Sequence, residues 1–148
     1  MYSLRRYLLG LTVIGALLVG VLSATASAAP RAGPFDARFS DRECGEGKFC
    51  GTGTVTGFGR VKTVLALGAA APPAPGCFGG KGTRRMTLES DPKSALRLAV
   101  SGAACGTRAW GTFKIVSGTG VFAGAKGSGI IWGSPTSPRY FGVISLTT

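Results

Sequence analysis

Apolar and polar side chains alternate through most of this chain, and the alternation breaks at glycine and proline clusters. Residues 35–40 begin it: Phe35, Ala37 and Phe39 point one way and polar neighbours the other, the period-2 signature of a half-buried strand. Residues 51–57 place threonine at every second site, and 60–67 continue after a Gly57-Phe58-Gly59 turn. Residues 83–89 and 94–101 form the clearest hairpin. Met86 and Leu88 share one face, Leu96, Leu98 and Val100 share another, and 90–93 (SDPK) supplies turn chemistry. Further strands are expected at 108–117, carrying Trp110, Phe113 and Ile115, at 121–132, and at 140–146 after a break at Pro135–Pro138. From residue 29 onward no segment has a helical period. Eight strands joined by turns predict an all-β fold, a single antiparallel eight-stranded barrel.

Between residues 68 and 82 the pattern disappears. Three prolines and five glycines predict a 15-residue loop, long for a compact domain and tethered by Cys77. The glycines at 118, 120, 124, 127 and 129 lie instead between two β-like ends, around Phe122. Glycine inside a strand marks a bulge, a corner or a close backbone approach, so this stretch predicts a tightly curved sheet.

Residues 115–127 (IVSGTGVFAGAKG) resemble the GG(T/S)G-x-F-x-x-A-x-G segment of the allene oxide cyclase and dirigent barrels, and of small secreted bacterial proteins assigned to that superfamily. The resemblance covers about 17 residues and is strand-by-strand elsewhere. It implies an eight-stranded antiparallel barrel; plant members assemble as trimers, which leaves a homo-oligomer open. No catalytic residue of the plant families matches a position here, so activity is not carried over.

The first 28 residues change the domain picture. Arg5 and Arg6 precede an uncharged apolar run, 7–22, and Ala26-Ser27-Ala28 supplies a small-residue cleavage site, the layout of a signal peptide. The run is short of the ~20 residues that span a bilayer, so no stable membrane insertion is expected after cleavage. The expected mature domain is 29–148, and the protein is expected to be secreted. Cys44, Cys50, Cys77 and Cys105 all fall in it. An even count in an exported chain predicts two disulfides. Of three possible pairings, Cys44–Cys50 with Cys77–Cys105 is favoured, because the first brackets a tight glycine-containing loop.

Charge and missing residues narrow the function. Without residues 1–28 the chain holds 15 basic and 6 acidic side chains, net +9. That suits an anionic surface polymer or simple solubility. The one basic cluster, Lys81, Arg84 and Arg85, lacks interleaved aromatic residues, so no specific nucleic-acid binding is expected. The absence of histidine excludes Ser-His-Asp and Cys-His catalysis and His-ligated metal sites, and neither a metal nor a cofactor is expected. The carboxylates are Asp36, Asp41, Glu43 and Glu46, expected in solvent near the first cysteine loop, and Glu89 and Asp91 at a hairpin tip. The last two have the spacing of a glycosidase pair but read more simply as a solvated turn. No catalytic residue is assigned.

The candidate ligand-binding residues are Trp110, Phe122, Trp132 and Tyr140, unless they merely fill a barrel interior. These features favour a non-catalytic binder of a small apolar ligand or an anionic polymer. Two alternatives have structural signatures. A cyclase- or isomerase-type enzyme would show an aromatic-lined cavity with one buried carboxylate, and an inhibitor would present a protruding 68–82 loop.

Overall fold

A computed structural model of the protein describes residues 31–147; the expected signal peptide lies outside them. The described chain is a closed barrel of eight antiparallel strands, each paired with its sequence neighbours, with β8 closing on β1. The strands are β1 (Arg31–Gly45), β2 (Lys48–Val55), β3 (Gly59–Ala70), β4 (Cys77–Leu88), β5 (Ala95–Cys105), β6 (Arg108–Gly118), β7 (Lys126–Ser134) and β8 (Ser137–Leu146). Closure leaves no unpaired sheet edge.

Two expectations are corrected. The 68–82 segment is not a loop: Leu67 to Ala70 pair with Gly82 to Gly79, so only residues 71–76 leave the ladder. Alanine and glycine carry no strong strand preference, but β4 supplied partners for the backbone of 68–70, and β3 and β5 for that of 79–82, so tertiary pairing overrode local propensity. The strand expected at 121–132 begins only at Lys126; residues 120–122 form a single 3-10 turn.

That turn closes one end of the barrel. Gly120 holds φ +59°, and a side chain there would collide with Ser94. Thr119 Oγ1 accepts the Ala95 N–H at 3.1 Å and donates to the Lys93 carbonyl at 2.7 Å. Ser94 Oγ accepts the Val121 N–H at 2.9 Å and donates to Asp91. So clamped, the turn drives Phe122 into the barrel, where its ring lies 4.7 Å from that of Phe58. Asp91 works within its turn and Glu89 pairs with Arg60 at 3.2 Å, so the structure does not join the two as an acid–base pair.

Above the plug, inward side chains fill the barrel. Phe35, Ala37 and Phe39 of β1 meet Val61, Met86, Leu88, Leu96, Leu98, Phe113, Ile115 and Ile144, all buried. Space for the large rings comes from glycines directly across the ladder. Phe39 pairs with Gly53 and Phe113 with Gly129. A Cβ on Gly129 would lie 2.7 Å from both Phe113 Cε1 and the Gly142 Cα. Gly129→Val is therefore expected to cost about 1–3 kcal/mol, read as a lower urea midpoint with the m-value unchanged.

Candidate site at the open end of the barrel

Opposite the plug the barrel is open. A cavity of about 620 Å³ occupies this mouth, with Phe49, Leu65, Leu67, Val100, Ile131 and Pro138 among its lining residues. That volume falls within the range of small-molecule pockets, which are apolar with a few placed polar groups. Here Arg84 and Tyr140 are the polar side chains among the lining residues. Trp110 stands at the rim and Phe78, 78% exposed, on the lip.

Beneath the cavity lies an ion pair. Arg84 and Asp41 have side chains with 0% exposure. Arg84 Nη2 donates to Asp41 Oδ2 at 2.6 Å and Nη1 to Asp41 Oδ1 at 3.2 Å. Nη1 also donates to Thr63 Oγ1 and Nε to Tyr140 Oη, each at 3.0 Å. The guanidinium lies over the ring of Phe39 at 4.4 Å and that of Tyr140 at 5.0 Å. An isolated buried charge would be prohibitively costly; a bidentate partner, two further acceptors and two aromatic faces make this one tolerable. Gly51, opposite Asp41 on β2, makes room for the carboxylate, since a Cβ there would sit 2.7 Å from Oδ1.

Burial lowers the Arg84 pKa, but Tyr140 and Asp41 outweigh it and hold the guanidinium charged above its ordinary range. Burial raises the Tyr140 pKa, against the pull of Arg84, and the phenol stays neutral. Its oxygen accepts from Arg84, and its proton is given to no protein acceptor among the described residues. Tyr140 is thus a fixed O–H donor beside an apolar chamber.

Two expected placements change here. Asp41 is not solvated but lies under the cavity, and Arg84 leaves the surface cluster of Lys81 and Arg85 for the interior. Among the four candidate ligand residues, Trp110 and Tyr140 reach the mouth; Phe122 sits in the plug at the far end. Trp132, the ladder partner of Trp110, lies on the outer wall and is 57% exposed.

Both expected disulfides are present, Cys44–Cys50 and Cys77–Cys105, and they fit an oxidising compartment. Both stand at the open end. Among the described residues no group of three His, Cys, Asp or Glu side chains would hold a metal ion. No model of a known protein family, no curated protein and no solved structure matches the chain.

Proposed function

We propose that this protein is exported and binds a small, mainly apolar molecule in the mouth of its barrel, without catalysing a reaction. The observation that carries the reading is the apolar chamber of about 620 Å³ above a floor where Arg84 and Asp41 are paired with each other and the Tyr140 hydroxyl keeps its proton free among the described residues. The walls offer burial of apolar area, at roughly 25 cal/mol per Å². The Tyr140 hydroxyl offers one hydrogen bond, so the preferred ligand carries a carbonyl, ether or hydroxyl oxygen at one end. Export through residues 1–28 is supported by the two disulfides. Membership of the allene oxide cyclase and dirigent superfamily is supported by the resemblance of residues 115–127, whose turn here forms the plug, and by the strand count.

A buried carboxylate near an aromatic-edged cavity is the feature expected of an isomerase-type enzyme, and Asp41 supplies it. Both of its oxygens, however, accept from Arg84. It serves as the counter-ion of a fixed cation, and binding is the better reading.

The test is native mass spectrometry and solvent extraction of the secreted protein, followed by titration with a fluorescent naphthalene probe. Saturable one-to-one binding is expected. Ala104→Trp, which fills the lip from β5, should weaken it by about tenfold or more, while Tyr140→Phe should weaken oxygen-bearing ligands by about 5–10-fold and spare hydrocarbons. A protein that yields no extract and binds no probe would overturn the reading.

A further inference from the structure

On the outer wall, β6, β7 and β8 present an apolar panel that neither the core nor the mouth uses. Trp110 and Trp132 are direct ladder partners, as are Ile130 and Phe141, and Val143 follows on β8. All five are exposed, from 45% for Trp110 to 59% for Val143. They lie side by side on adjacent strands, so they form a patch rather than scattered residues, and contiguous exposed apolar surface marks an interaction site.

The charges around the panel select its partner. Arg108 and Lys114 continue the outward face of β6, Lys126 that of β7, and Arg38 lies beyond Arg139 on β1. The acidic group nearby, Asp36, is taken by Arg139 through bonds of 2.9 and 2.6 Å. Arg38, Arg108, Lys114 and Lys126 have no ion-pair partner among the described residues. A second copy seated on the same face would bring these cations against their counterparts. A polyanion would match them but leave the two indoles in water. One partner satisfies both layers: a surface with anionic groups outside and hydrocarbon beneath. Tryptophan favours that boundary, and basic residues are drawn to anionic headgroups.

We propose that the β6–β8 panel docks the folded barrel on an anionic lipid surface, with the indoles in the headgroup layer and the basic rim on the phosphates. Trp110 belongs to the panel and to the rim of the cavity, so docking sets the mouth beside the lipid.

The chain's two tryptophans are both on the panel, so their emission reports it directly. With vesicles of phosphatidylglycerol, the expected result is co-sedimentation, a blue shift and quenching by brominated acyl chains. Binding should fall about tenfold or more on phosphatidylcholine vesicles or in high salt. Ile130→Ser/Val143→Ser and Arg108→Glu/Lys114→Glu should each weaken it by a similar factor with the barrel's circular dichroism unchanged. Three results would overturn the proposal: no vesicle binding, binding to dextran sulfate as tight as to vesicles with no shift in emission, or a blue shift that grows with protein concentration alone, which would assign the panel to a second copy.

Discussion

Asp41→Ala is expected to cost about 3–5 kcal/mol of folding stability, among the largest effects of any single substitution in this barrel. It leaves the Arg84 guanidinium, fully buried, with only Thr63 and the Tyr140 hydroxyl as acceptors. Arg84→Leu should cost a similar amount by stranding the carboxylate. Arg84→Lys should recover little, because an ammonium cannot match two carboxylate oxygens, a threonine and a phenol from one planar fork. Replacing both partners at once, Asp41→Leu with Arg84→Met, removes the charges together and should be near neutral or stabilising. Urea unfolding of the unsubstituted protein, Asp41→Leu, Arg84→Met and the double variant closes the cycle. The alternative is a pair so well solvated by its surroundings that single and double substitutions add, and additivity within about 0.5 kcal/mol would show it. A near-neutral double variant would show that an apolar pair holds the barrel as well as the ion pair does.

The strands were legible because barrel walls are read one residue at a time: most inward positions are apolar, outward ones are tolerant, and the turns carry Asp, Pro and Gly. The same alternation contained the site. Arg84 has the phase of Met86 and Leu88, and Asp41 that of Phe35, Ala37 and Phe39. A lone cation and a lone carboxylate, each in the buried phase of a different strand, are the sequence trace of a buried pair. Composition hid it, because Arg84 lies between Lys81 and Arg85 and Asp41 precedes Arg42 and Glu43, so both passed as surface charge. The ends of β3 and β4 were illegible for another reason. Alanine and glycine at 68–70 and 79–82 have no period to read, and only pairing with neighbours determines that they are extended. The aromatic residues divide by phase as well. Tyr140 shares the inward phase of Ile144, while Trp110 and Trp132 lie in the outward phase of Thr112 and Ile130.

Removing the Cys77–Cys105 bridge, as Cys77→Ser/Cys105→Ser, is expected to cost about 2–5 kcal/mol and to abolish the proposed ligand binding before it abolishes the fold. The loop-entropy model gives about 3.6 kcal/mol for this bridge and about 2.4 for Cys44–Cys50, so the longer loop dominates. Where the bridges lie matters as much as their size. At the plugged end, Ser94 bonds Leu88 of β4 and Val121, Thr119 bonds Ala95 of β5, and Phe122 packs on Phe58 of the β2–β3 turn. At the mouth, Cys77 and Cys105 face one another across strand ends built largely of glycine and alanine, with few side chains to interlock. Glycine loses the most conformational freedom on ordering, so these strand ends gain the most from a covalent tie. Hydrogen exchange should therefore rise at residues 78–82 and 101–105 in the bridge variant, while amides at 84–88 and 95–99 stay protected. The naphthalene probe should be lost in step with the mouth. Uniform loss of protection along β4 and β5 would mean that the barrel opens as a unit, and that the bridges hold the whole fold rather than the shape of its mouth.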